Sequence, residues 1–216
     1  MKADFGLMLV TDRGLARGRT LDDIVGSAVR GGVTIVQLRE KEMATREFVA
    51  LGRRLAELLR PRRIPMIVND RVDVAIAVLA DGVHLGTSDM APADARSLLG
   101  PKAIIGLTVE TVDQATAADL LDVDYLGVSP VFATPTKVDT SAPWGIEGLW
   151  RLRPLTRKPL VAIGGIGLAN AARVLEAGAD GLAVVSAICA AADPEAAARE
   201  LRAIVDGRRQ ARGGRL

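Results

Sequence analysis

The chain has 216 residues and a formal net charge of +2, so it carries no charge excess of the kind that marks a nucleic-acid coat. Apolar residues make up 49% and aromatic residues only 3%; the core must come from Val, Ile, Leu and Ala, and an aromatic platform for single-stranded nucleic acid is excluded. The single cysteine, Cys189, excludes an internal disulfide and a cysteine-rich zinc site, and no apolar run approaches the roughly 18 residues of a membrane span.

From the N-terminus onward, short β-branched runs alternate with longer stretches of Ala, Leu, Arg and Glu. The first apolar run, Phe5 to Val10, is too short for a signal peptide, and a cytoplasmic protein is expected. The first strand, 7–10, leads into Val10-Thr-Asp-Arg-Gly-Leu, without the glycine-rich phosphate loop that an open doubly wound sheet would usually place there. Gly31-Gly32 end a helix, and the second strand is expected over 34–39. Alternation puts Gln37, Arg39 and Lys41 on one face, with Val36 and Leu38 turned to the helices. Two cations and an amide at a strand end make an anion site, with Arg suited to bidentate phosphate; the alternative is a solvated end paired with Glu40 or Glu42.

A helix over 46–59 precedes the third strand, 65–69, which ends Asn69-Asp70. Asp70 either caps the helix over 72–79 or binds a metal. The fourth strand, 82–85, contains His84, the only histidine, read as a satisfied structural residue. Asp89 follows it and likewise caps a helix, over 92–99, or shares one Mg2+ with Asp70, since that ion takes a couple of carboxylates plus phosphate oxygens. Gly100 closes that helix. The fifth strand, 104–108, ends at Thr108; a helix over 111–120 and a sixth strand, 125–129, follow.

The longest irregular stretch, Pro130 to Gly145, carries Thr134-Pro-Thr136-Lys137, two hydroxyls and a cation able to close over a phosphate, with Trp144 packing its end. The seventh strand, 160–163, ends Gly164-Gly165-Ile166-Gly167; a helix over 168–177 is closed by Gly178; the eighth strand, 181–185, ends Val185-Ser186. Backbone N–H groups after these two strands suit a phosphate, while the glycines could also serve only a tight turn. Eight βα units with short connections and no linker predict one α/β domain over 1–216, a single (β/α)8 TIM barrel rather than an open sheet. Residues 208–216 read as a frayed basic tail.

The pieces Val36-Gln-Leu-Arg-Glu-Lys41, Val68-Asn-Asp70, Asp81-Gly-Val-His-Leu-Gly86 with Asp89, Thr134-Pro-Thr-Lys137, Gly164-Gly-Ile166, and Ala179-Asp-Gly181 leading to Val185-Ser186, stand in an order that resembles the thiamine phosphate synthase family. The resemblance spans about residues 7–202. It implies a transferase that joins 4-amino-2-methyl-5-hydroxymethylpyrimidine diphosphate to a thiazole phosphate, plain or carboxylated, through a pyrimidine cation, with release of pyrophosphate. By the same carry-over Gln37, Arg39, Lys41, Asn69, Thr108 and Lys137 hold the pyrimidine diphosphate. Thr134, Thr136, Gly165, Val185 and Ser186 hold the thiazole phosphate, and Asp70 and Asp89 bind Mg2+.

The chain departs from the family's pattern at Thr87, where Gln is common, and at Thr108-Val-Glu110, where Ser-x-His is frequent. Two other readings stay open: a thiazole tautomerase of the same superfamily, which relies on a histidine where Glu110 stands, and a non-catalytic regulatory barrel binding thiamine precursors. The expected partners are small phosphorylated molecules, with neither nucleic acid nor membrane; the exposed helices leave a homodimer open.

Overall fold

The computed structural model describes residues 3–134 and 142–213. Eight parallel strands close into a barrel in chain order: β1 Leu7–Val10, β2 Ile35–Leu38, β3 Met66–Asn69, β4 Gly82–Leu85, β5 Ile104–Val109, β6 Tyr125–Val128, β7 Leu160–Ile163 and β8 Gly181–Val184. Around them lie α1 Leu21–Arg30, α2 Thr45–Leu59, α3 Val72–Val78, α4 Pro92–Leu99, α5 Val112–Ala118, α6 Gly145–Leu152, α7 Ala171–Glu176, α8 Ser186–Cys189 and α9 Pro194–Gly213. This is the (β/α)8 barrel that the strand count predicts, with element ends within a few residues of those expected.

Strand alternation sorts the core into two layers. Met8, Val10, Ile35, Ile67, Tyr125, Val161 and Ala183 point inward, so the barrel is filled rather than open. Leu7, Leu9, Val36, Leu38, Val68 and Val83 point outward, against helix residues such as Ile24, Phe48 and Leu55. The scarcity of aromatic residues thus suits an aliphatic outer layer of Leu and Val under the helices.

A repeated device sets the register at the barrel's lower rim. The residue just before each even-numbered strand accepts a hydrogen bond from a backbone N–H at the start of the strand before it. Thr34 Oγ1 accepts from Leu7, Asp81 Oδ2 from Met66, Asp124 Oδ2 from Ile105 and Asp180 Oδ2 from Leu160, all at 2.8–3.0 Å. Each bond ties the start of one strand to the loop of the next, so the tops of the strands emerge at fixed heights. Arg96 pairs with Asp124 at 3.0 Å and Arg153 with Asp180 at 2.7 Å, which holds two of these carboxylates in place.

The C-terminus corrects one expectation. The stretch from Arg208 reads as a frayed tail, yet α9 continues through Gly213. Its partner is remote in sequence: Arg209 and Arg202 both bond the carboxylate of Asp4, at 2.5 and 3.2 Å. Of the helix-ending glycines, Gly32, Gly100 and Gly178 take positive φ, whereas Gly31 stays in the right-handed region at φ −75°.

Candidate active site

The upper ends of the strands surround one cavity of about 330 Å3. Thr11 at the end of β1 holds β2 in place: its N–H donates to the Gln37 carbonyl at 2.9 Å and its Oγ1 accepts from the Arg39 N–H at 3.0 Å. Gln37, Arg39 and Lys41 all line the cavity, as their alternation predicts, while Val36 and Leu38 are buried under the helices. Lys41 is not paired with a neighbouring glutamate. Its Nζ reaches Asp70 Oδ2 at 2.6 Å, at the end of the neighbouring strand. Glu40 turns the other way, 3.7 Å from Arg13, and burial pushes its carboxyl above the usual range.

The two carboxylates that sequence leaves between capping and metal binding do not cap. The helix α3 begins after Arg71 and α4 after Ala91, neither with a side-chain cap. Asp70 instead sits in the left-handed region at φ +62°, its N–H donating to the His84 carbonyl at 2.8 Å. Asp89 folds back so that its Oδ2 accepts from the Gly86 N–H at 2.6 Å. Burial first, and then the adjacent Asp70 carboxyl within hydrogen-bond reach, push the Asp89 carboxyl above its ordinary value. A strained backbone at one acid and a raised proton affinity at the other are what two like charges held together by the fold produce.

The neighbourhood is therefore short of positive charge. Lys41 offsets part of it, and a hard divalent cation taking further oxygens from water or phosphate would offset the rest. The donor set fits such an ion. Among the described residues no group of three or more His, Cys, Asp or Glu side chains could form a complete protein cage.

Asn69 and Thr108 are buried and face the cavity from β3 and β5. Thr134 and Gly165 line the opposite wall with Val185. Gly164 and Gly165 have φ of +104° and +63°, and a Cβ on either would meet the backbone or Cβ atoms of Pro130 to Ala133. Their missing side chains let the β7 loop pack on the segment after β6, and Asn170 secures that loop by bonding the Gly165 carbonyl and the Gly167 N–H, both at 2.9 Å. Ser186 is exposed at the start of α8 and does not line the cavity. Thr136 and Lys137 lie outside the described residues. Trp144 packs half-buried against the outer core, its backbone N–H donating to the Pro130 carbonyl at 2.9 Å.

Five polar residues line the cavity without having been expected there: Thr87, Ser88, Glu110, Ser129 and His84. Alternation beyond Thr108 carries Glu110 to the same face, and Ser129 directly follows β6, so both signals lay in strand phase. His84 is structurally satisfied, as expected, with both ring nitrogens bonded; it is also part of the cavity's floor.

The family described as thiamine monophosphate synthase matches residues 7–188. A thiamine-phosphate synthase of Albidiferax ferrireducens is 59% identical over 200 residues, covering 93% of this chain and 91% of the relative. One from Solidesulfovibrio magneticus is also 59% identical, over 208 residues, covering 95% and 99%. Among solved structures, the thiamine phosphate pyrophosphorylase of Pyrococcus furiosus superposes with a TM-score of 0.87 at 40% identity, over 96% of this chain and 98% of that one. A 3-hexulose-6-phosphate synthase superposes at 0.67 with 19% identity over 92% and 99%, a likeness of fold alone.

Proposed function

This chain belongs to the thiamine monophosphate synthase family, and from that premise we propose that it joins a 4-aminopyrimidine diphosphate to a thiazole phosphate, releasing pyrophosphate and forming thiamine phosphate. It is an enzyme, a transferase, as its curated relatives are. The observation that carries the reading is the gathering of Arg39 and Lys41 with the Asp70–Asp89 pair around one cavity at the upper end of the barrel. An isomerase acting on the thiazole alone has no use for a diphosphate site. The substrates are small phosphorylated molecules, and the reading assigns the reaction to the cytoplasm.

In this reading the pyrimidine C–O bond breaks and its electron pair leaves with the pyrophosphate. The resulting cation is stabilised by the ring's amino group, and the thiazole nitrogen then donates its lone pair to form the new C–N bond. Little acid–base chemistry is required, so the protein's task is positioning and charge stabilisation. Arg39 and Lys41 bind the diphosphate, and Lys137 joins them from the long loop. Asp70 and Asp89 would hold Mg2+, which would supply positive charge opposite the departing pyrophosphate. Gln37, Asn69 and Thr108 hold the pyrimidine on the cavity floor. Thr134, Gly165 and Val185 hold the thiazole phosphate on the opposite wall, and the reading adds Thr136 and Ser186 as further ligands of that phosphate.

The test is pyrophosphate release by the purified protein with Mg2+ and both substrates. Release should require both, stop in EDTA and return with Mg2+. No release with both ligands bound would refute the reading, and isomerisation of the thiazole phosphate alone would identify a tautomerase instead.

A further inference from the structure

Below the cavity, side chains from five strands form one hydrogen-bonded chain. Gln37 Nε2 donates to Met8 Sδ at 3.5 Å, and Gln37 also bonds the Tyr125 hydroxyl. That hydroxyl lies 2.8 Å from His84 Nδ1, and His84 Nε2 lies 2.8 Å from Thr108 Oγ1. The chain passes over β5 at Gly106, which stands in register between His84 and Tyr125. A Cβ there would come within 2.1 Å of the Tyr125 ring, so the bond between the two rings needs a glycine at this point.

The direction of the chain follows from its ends. A thioether only accepts, so the amide group of Gln37 facing Met8 is its nitrogen. Burial pushes the Tyr125 hydroxyl far above its usual range and keeps it protonated, and a buried O–H needs an acceptor, here the imidazole nitrogen 2.8 Å away. The Tyr125 O–H then donates to His84 Nδ1. A neutral imidazole accepting at Nδ1 carries its hydrogen on Nε2, which donates to Thr108 Oγ1. Thr108 is left with its own hydrogen for the cavity, and Gln37 with its carbonyl oxygen.

We propose that Tyr125 and His84 act as positioning residues that fix Thr108 as a donor and Gln37 as an acceptor, and so select a 4-aminopyrimidine. The amino-bearing edge of such a ring offers an accepting nitrogen beside a donating NH2. A 4-oxo pyrimidine offers the reverse and leaves buried groups facing their like, which hydrogen-bonding sites reject strongly. The substrate class rests on the synthase reading; the direction of the relay does not.

His84 is the only histidine in the chain, so its ring nitrogens can be read without ambiguity in protein labelled with 15N-histidine. Long-range 1H–15N spectra of the unaltered protein should show Nε2 protonated and Nδ1 bare. A proton on Nδ1 alone would overturn the relay. The second arm compares kcat/KM for the aminopyrimidine diphosphate and its 4-oxo analogue. Tyr125→Phe should lower the preference for the amino form by about tenfold, the value of one well-made hydrogen bond. A purely structural defect would lower both rates alike, and an unchanged preference would overturn the proposal. If Tyr125→Phe fails to fold, the tautomer of the unaltered protein still decides. With Nε2 protonated, no release of pyrophosphate from either pyrimidine would overturn the synthase reading and with it the selection, while the direction of the relay would stand.

Discussion

Gly106→Ala puts a single methyl group where the barrel has no room for one. Its Cβ would lie 2.1 Å from Tyr125 Cζ and 2.4 Å from the hydroxyl. An ordinary carbon contact is about 3.5 Å, so the ring must retreat by more than roughly 1 Å. Tyr125 is 1% exposed and packs on Phe5 with ring centroids 4.8 Å apart, so retreat displaces a filled layer. Overpacking of this sort costs about 1–3 kcal/mol. Retreat also stretches the 2.8 Å bond to His84, and a buried polar group left unmade costs about another 1–3 kcal/mol. The total, about 2–6 kcal/mol, should lower the melting temperature by roughly 4–24 °C for a domain of this size. Thermal unfolding followed by far-ultraviolet circular dichroism measures it. A variant melting within about 1 °C of the parent would refute this account of Gly106.

Two further substitutions test the site itself. Because burial, and then Asp70, raise the Asp89 carboxyl, the folded chain holds that proton more tightly than the unfolded chain, and ionisation of Asp89 costs stability as pH rises through the carboxylate range. Asp89→Asn should therefore melt above the parent at pH 7 and level with it near pH 3, while pyrophosphate release falls by about a hundredfold or more; equal melting temperatures at pH 7 would refute the electrostatic account. Lys41→Met breaks a half-exposed pair worth little to stability, so the fold should persist, while kcat/KM for the pyrimidine diphosphate falls roughly ten- to a hundredfold. Unchanged kinetics would remove Lys41 from the site.

The barrel was legible because its strands are short β-branched runs bounded by turn residues, and phase within a strand carried Gln37, Arg39 and Lys41 correctly to one face. Asp70 and Asp89 were ambiguous for a physical reason. A carboxylate shortly before a helix has the local sequence of a cap whether or not it caps, and only the fold shows Asp89 turned back to Gly86 and Asp70 reaching Lys41. The last turns of α9 were misread for a similar reason. Their arginines look solvated until Asp4, about 200 residues earlier, is seen to hold them. Gly106 gave no local signal either, since its need arises from rings on the two flanking strands.

The pairing of β1 with β8 has a consequence in time. About 170 residues separate Leu7 from the strand that covers its open edge. At the usual pace of synthesis, about 5–20 residues per second, β1 waits on the order of 10–30 s with one row of backbone donors and acceptors bare. Such an edge invites pairing with a neighbouring chain. The Asp4 carboxylate, just ahead of β1, is bonded by α9, the last helix described, so the barrel's seam is fastened only after its final strand has formed. A nascent chain cut short before residue 181 would have every outer-layer leucine of β1 in place and nothing to close against, and it should be found with chaperones or in aggregates rather than as a smaller barrel.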